Sequence, residues 1–241
     1  MDKNKKLKQG HVELHNNKSG AKLNWLRASV LGANDGIVSI AGLVLGVAGA
    51  TDSAVVILTA GLAGVVAGAI SMAAGEYVSV SSSRDTEKAL LAKEREELRK
   101  YPEAELAELA KIYEHKGLSE KTALIVAKEL TEHDPIAAHF DAELGIDPNN
   151  LTSPWHAAFA SAAAFLIGSA IPMIAIAIPP AGIRIPVAFI SVIIALAITG
   201  TMSAKVGGAN VWRAVVRVVF GGALAMAITY GIGRFFGVSG I

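Results

Sequence analysis

Residues 54–100 read AVVILTAGLAGVVAGAISMAAGEYVSVSSSRDTEKALLAKEREELRK, and the stretch changes character at Ser81. Ala54–Val80 carries a single charge, Glu76. It is long enough to cross a hydrocarbon core of about 30 Å, which takes ~20 residues of helix. From Ser81 to Lys100 more than half of the residues are charged, and no Pro or Gly interrupts them. The reading is one helix that crosses the membrane and then projects into water as far as Lys100.

The same contrast extends over the whole chain of 241 residues. Hydrophobic residues make up 52% and the mean hydropathy is +0.46, yet the charges are segregated. Residues 1–27 and 84–147 hold most of them, and 28–80 and 155–241 are nearly free. Five stretches qualify as membrane spans: Ala28–Ala50, Ala54–Val80, Trp155–Ile178, Ile183–Ala204 and Val211–Phe236. A single span must satisfy its own backbone polar groups, so each is helical. The expected fold is an all-α membrane protein. Residues 28–80 form transmembrane helices 1 and 2, and 155–241 form helices 3 to 5. Residues 81–154 form a helical domain inserted between the second and third. Residues 1–27 are too long and too polar to open a cleavable signal and read as a disordered or interfacial arm. A net charge of +1 gives no basic field for nucleic acid. The lack of Cys excludes disulfides, thiolate metal sites and Cys nucleophiles.

Orientation follows from Lys and Arg in the connections. The N-terminal arm carries Lys3, Lys5, Lys6, Lys8, Lys18, Lys22 and Arg27; the turn Thr51–Ser53 carries none. The insertion is rich in both. The next connection has only Arg184, the fourth has Lys205, Arg213 and Arg217, and the C-terminal end has Arg234. The alternation predicts a cytoplasmic N-terminus, a cytoplasmic insertion and a C-terminus outside. Small residues recur four apart, as Gly32 with Gly36, Gly42 with Gly46 and Gly64 with Gly68. That spacing lets helix backbones approach closely, either inside one bundle or across a homodimer contact through the first helix.

Two carboxylates fall inside spans, Asp35 in the first and Glu76 in the second. A charge there costs on the order of 2.5–3.5 kcal/mol on insertion scales, so it calls for a partner, a water-filled path or a place at the interface. Met72 precedes Glu76 by one turn and shares its face. It is either packing or a soft ligand that favours Fe²⁺ over Mg²⁺ or Ca²⁺.

Within the insertion, Pro102 starts a helix that reaches His115 before Gly117, and Ser119 opens another that reaches His133. Asp134–Pro135 begins a short last helix ending at Gly145. Glu94 and Glu97 share one helix face, and Glu105 and Glu108 share another. Two antiparallel helices so marked offer carboxylate pairs to one space, and His139 and Glu143, four apart, can close it. The plain alternative is a solvated acidic face, since Lys93, Arg95, Arg99 and Lys100 are interleaved. No His follows a Glu by three residues, which disfavours di-iron ferroxidase chemistry.

The runs GANDGIVSIAGLVLGVAGA (32–50) and GAISMAAGEYVSVSSSRDTE (68–87) resemble the bacterial branch of the vacuolar iron transporter family. The resemblance extends over nearly the whole chain from Leu23. It implies a five-span homodimer that moves Fe²⁺ and Mn²⁺ out of the cytosol in exchange for protons, with no enzymatic step and no resident cofactor. The family's pathway Asp and Met fall on Asp35 and Met72. Its paired cytoplasmic Glu residues fall on Glu94, Glu97, Glu105 and Glu108, and a further one on Glu143. Plant members place adjacent Met residues where this chain has His139 and Phe140. Two acids of the family pattern are replaced by Asn24 and Gly64, so proton coupling needs another carrier, for which Glu76 is the candidate.

These readings converge on a proton-coupled exporter in a bacterial plasma membrane. Cytosolic Fe²⁺ or Mn²⁺ is gathered by the inserted domain and passed to a membrane site at Asp35 and Met72. A membrane-anchored metal sensor and a passive cation channel are the alternatives.

Overall fold

The computed structural model describes residues 19–145 and 152–239, and the regular structure among them is helical throughout. The helices are α1 (Ser19–Ala50), α2 (Ala54–Lys100), α3 (Pro102–His115), α4 (Glu120–His133), α5 (Pro135–His139), α6 (Pro154–Ala177), α7 (Arg184–Val206) and α8 (Val211–Ser239). A π-helical turn, Phe140–Leu144, continues α5. Five helices are long and apolar enough to cross a membrane: α1 from Ala28, α2, α6, α7 and α8. Helices α3 to α5 fall between the second and third of these in the chain.

Most helix ends follow from local chemistry. The Ser53 hydroxyl accepts from the Val56 N–H, Ser119 from Thr122, and Asp134 from Ala137; each satisfies a backbone donor that a first turn leaves free. Pro102, Pro135 and Pro154 open their helices, where a missing N–H costs nothing. Two features go beyond expectation. The first span is Ala28–Ala50, but α1 itself begins earlier, at Ser19, because Ala21–Ser29 contains no breaker; residues 1–18 of the expected arm lie outside the described residues. The last helix of the insertion changes pitch at Phe140, and its π turn closes at Gly145, whose φ of +62° suits a residue without a Cβ.

Helix α1 is the axle of the membrane bundle and packs against α2, α6, α7 and α8. Its glycines fix the registers. Gly32 and Gly36 lie against the backbones of Ser161 and Phe165 in α6, while Gly46 and Gly49 lie against Thr229 and Tyr230 in α8. Both series ascend together, so α1, α6 and α8 run parallel. On α2, Gly61 meets Val44, Gly64 meets Ile40 and Leu43, and Gly68 meets Phe165, which is level with Gly36; α2 therefore runs antiparallel. A Cβ on Gly233 would strike the carbonyl oxygen of Gly46. The small residues spaced four apart on α1 and α2 thus serve close packing inside one bundle. Ile37, Val44, Leu45, Phe165, Leu196 and Met226 fill its core. In contrast, only 17% of the α2 window and 11% of the α8 window are buried, so these two helices form the periphery.

Candidate metal sites

The inserted domain has its own small core, Leu109, Ala110, Ala127 and Ala138, with Leu106, Tyr113 and Leu130 against it. Burying Leu109 and Ala110 turns Glu105, one helical turn before Leu109, into the same interior. The ammonium of Lys116 donates to the Ala142 carbonyl (3.2 Å) and ties the end of α3 to the π turn. These contacts bring the polar residues of three segments together. Glu94 from α2, Glu105 from α3 and His139 from α5 are all buried, and their ligand atoms lie within 4.8 Å of one another. Two donors 4.8 Å apart can share one ion at about 2.4 Å each, within the range for a cation bound by oxygen.

His139 is the pivot. Its Nδ1 lies 2.9 Å from Glu143 Oε1, 3.0 Å from Glu94 Oε1 and 3.9 Å from Glu105 Oε2. One Nδ1 proton cannot serve three carboxylates. It is hydrogen-bonded to Glu143, and Glu94 Oε1 is left buried without a hydrogen bond. His139 Nε2 is likewise buried and unpartnered. Burial, followed by the Glu143 charge, raises the Glu94 pKa above its ordinary value, with His139 opposing. Burial and the Glu108 charge raise Glu105 in the same way, again against His139. Desolvation and crowding of like charge are the physical causes. A divalent cation placed between these groups would replace the Nδ1 proton, satisfy the orphaned oxygen and cancel the crowding. The donor set fits such an ion.

Glu97 and Glu108 sit differently from their partners. Glu97 accepts from the Lys93 ammonium at 2.9 Å on the helix surface, and Glu108 is exposed. Each three-residue pair therefore sends one carboxylate inward and leaves one at the rim, where it still acts on the buried acids through charge.

In the membrane, Asp35 is half-buried, and the Ser39 hydroxyl donates to its Oδ1 at 2.6 Å. Its neighbours along the same stripe, Leu31, Ser39 and Leu43, are exposed, so Asp35 stands at the margin of the protomer. It is seven residues into the span, or about 10 Å below the boundary at Ala28. Met72 packs against the bundle core. Continuing the α1–α2 register past Gly68 puts it near the level of Gly32 to Asp35. Glu76 lies elsewhere: it lines a cavity of about 190 Å³ with Ser79, Ser83, Arg84, Glu87 and Thr152, against the start of α6. Gly64 faces Leu43, and a Cβ there would collide with that side chain. An acid at this position would need Leu43 to move aside. The side chain at position 24 lies outside the described residues. Arg84 is the residue that the sequence reading missed: its Nε is buried without a partner, a property that depends on α6 and has no local signal.

Fold and site together define a helical membrane protein with a buried carboxylate–imidazole cluster in an inserted domain. The profile of the VIT family matches residues 26–234, and the chain belongs to that family. Over 210 residues it is 45% identical to the "Vacuolar iron transporter" of Acanthamoeba castellanii, covering 87% of this chain and 77% of the relative. It is 36% identical over 222 residues to "Vacuolar iron transporter homolog 1" of Oryza sativa subsp. japonica, covering 92% and 78%. It is also 36% identical over 217 residues to "Vacuolar iron transporter homolog 2.1" of Arabidopsis thaliana, covering 90% and 83%.

Proposed function

We propose that this chain is a transporter that exports Fe²⁺, Mn²⁺ or both from the cytosol in exchange for protons, working as a homodimer. Family membership and the relatives' names favour iron as cargo. The observation that carries the reading is the meeting of Glu94, Glu105 and His139 from three helices in a buried cluster. Two carboxylates and an imidazole suit Fe²⁺ and Mn²⁺ better than Ca²⁺, which prefers oxygen alone. Glu143 completes the set, and Glu97 and Glu108 supply charge at its entrance.

Asp35 and Met72 form the membrane site. A carboxylate at the margin of a protomer, about a third of the way into the core, is tolerable when a second copy covers it. The neighbouring face of α2 exposes only small residues at Ala63, Ala67, Ser71 and Gly75, which permits a close approach. In the dimer, the site formed by Asp35 and Met72 is duplicated across the axis. Ionised Asp35 holds the cation; a returning proton neutralises it and releases the ion. Glu76, in its own polar cavity, is the candidate proton carrier. The inserted domain faces the cytosol, and the membrane is the plasma membrane of a bacterial cell. The eukaryotic relatives are named for the vacuole, and the same orientation holds in either setting.

The test is uptake of Fe²⁺, Mn²⁺, Co²⁺ and Zn²⁺ into proteoliposomes, with and without an imposed pH gradient. Gradient-driven flux that Asp35→Ala abolishes, with binding by the inserted domain intact, supports the proposal. Flux that ignores the gradient would make the chain a channel, and absence of flux in both forms would leave only a sensor.

A further inference from the structure

A second cavity, which neither Asp35 nor Met72 lines, opens beside the first turns of the α1 span. It is a groove of about 430 Å³ between α1, α7 and α8, lined by Val30, Leu31, Asn34, Ser203, Val206 and Arg217 among others. The helix directions place it at the end of the bundle from which α2 projects into the inserted domain. Its walls are largely aliphatic, as an acyl chain requires. Its polar groups gather at one level: Asn34 and Arg217 are each about 9 Å into their spans, counted from Ala28 and Val211.

Three observations say what fills it. Residues 205–217 hold Lys205, Arg213 and Arg217 and no acid. All three cations are exposed, and among the described residues no carboxylate is paired with Arg217. The groove therefore carries an uncompensated positive edge. Trp212, 74% exposed at the start of α8, marks the level where aromatic rings meet headgroups. Asn34 Oδ1, on the inner wall, is shielded and has no hydrogen-bond partner, so whichever way the amide is turned it offers one unmade bond. An exposed Arg below the interface turns its long side chain back towards phosphate, and basic pockets between spans on this side select anionic headgroups.

We propose that the groove between α1, α7 and α8 binds one anionic glycerophospholipid from the leaflet facing the inserted domain. Arg217 holds the headgroup phosphate, Arg213 and Lys205 flank it, and Asn34 meets the glycerol region. This site rests on the proposed cytosolic orientation of the inserted domain and is independent of the cargo.

Native mass spectrometry of the full-length protein released from detergent tests it, with phosphatidylglycerol or phosphatidylcholine of matched acyl chains added. One phosphatidylglycerol per chain should persist at activation energies that strip phosphatidylcholine. Arg217→Gln should weaken retention about fivefold, the weight of one charge near an anionic surface, and Arg217→Lys should restore most of it. Ser203→Leu fills the groove without changing charge and should lower retention too; it decides the matter should Arg217→Gln fail to fold. Equal retention of the two lipids, or of phosphatidylglycerol by wild type and Arg217→Gln, overturns the proposal. Competition by soluble glycerophosphate at the lipid's own concentration would overturn it in favour of a free-anion site. Loss of the dimer mass in Ser203→Leu with lipid retention unchanged would assign the groove to a second copy instead.

Discussion

Replacing Glu105 by Gln separates a metal cluster from an acidic patch, because the two readings predict opposite effects on stability. Glu105 and Glu94 are each only 8% exposed, and His139 is 1% exposed. Burial and neighbouring acids raise the pKa of both carboxyls above 4.5. The folded domain therefore binds protons that the unfolded chain has released, in the window from about 4.5 up to the raised values. In that window stability falls as pH rises. Without metal, Glu105→Gln removes one source of this penalty, so the domain becomes more stable at neutral pH and its stability depends less on pH. With metal the sign reverses. Loss of even an outer partner costs about 10–100-fold in metal affinity, and a direct ligand belongs at the upper end. At free ion about 100 times the wild-type Kd, binding stabilises by about 2.7 kcal/mol; a 100-fold weaker site retains about 0.4 kcal/mol. Hydrogen–deuterium exchange of the amides in α3 to α5, with and without Mn²⁺ at pH 5 to 8, reads both effects in the intact protein. If Glu105→Gln destabilises the metal-free domain, or keeps the full protection by Mn²⁺, the cluster is not a metal site and its acids are structural.

His139→Ala should weaken Mn²⁺ binding about 100-fold yet keep a rise in affinity with pH, because the buried Glu94 and Glu105 carboxyls, raised above their ordinary pKa, still give up protons to the ion; isothermal titration in two buffers of different protonation enthalpy counts the protons released. Asp35→Asn should leave that binding unchanged and remove transport in proteoliposomes. Cluster variants such as Glu94→Gln should raise the apparent KM for transport while keeping the maximal rate, which initial rates over a range of Fe²⁺ concentrations will show. Gly36→Ala places a Cβ against the Phe165 carbonyl; backbone cannot rotate away, so the loss should reach about 1–3 kcal/mol, seen as a lower midpoint in detergent unfolding.

The spans and the long α2 were legible because lipid forbids unpaired backbone and water rewards charge, so composition alone marks where a helix leaves the membrane. Ser119 and Asp134 announced their helices because capping is local chemistry. The inserted cluster was half legible. Spacing put Glu94 with Glu97 and Glu105 with Glu108 on shared faces, but it could not say which member of each pair turns inward. That choice is made by Leu109 and Ala110, which draw Glu105 into the domain core, and by Lys93, which holds Glu97 at the surface. The π turn after His139 has no signal in a single sequence, since it depends on how α5 settles against α2 and α4. The small residues gave closeness without a partner: Gly32 and Gly36 serve α6, and Gly46 serves α8, which only the folded register distinguishes.

The length of α2 limits how the two candidate sites can act together. Met72 and Glu94 are 22 residues apart on one unbroken helix, so about 33 Å of rigid rod separates them. No single ion can be shared across that distance, and no side-chain motion bridges it. If the membrane site takes its ion from the cluster, as proposed, the ion passes an intermediate stretch that carries Glu87, Ser83 and Glu76, with the half-buried Arg84 among them. A fixed cation on that route repels Fe²⁺ and Mn²⁺ unless a carboxylate compensates it, and both Glu76 and Glu87 line the same cavity. On the proposed transport reading, the inserted cluster would raise the local ion concentration and take no part in the barrier crossing. That division of labour is why its variants should act on apparent affinity while Asp35 acts on transport itself.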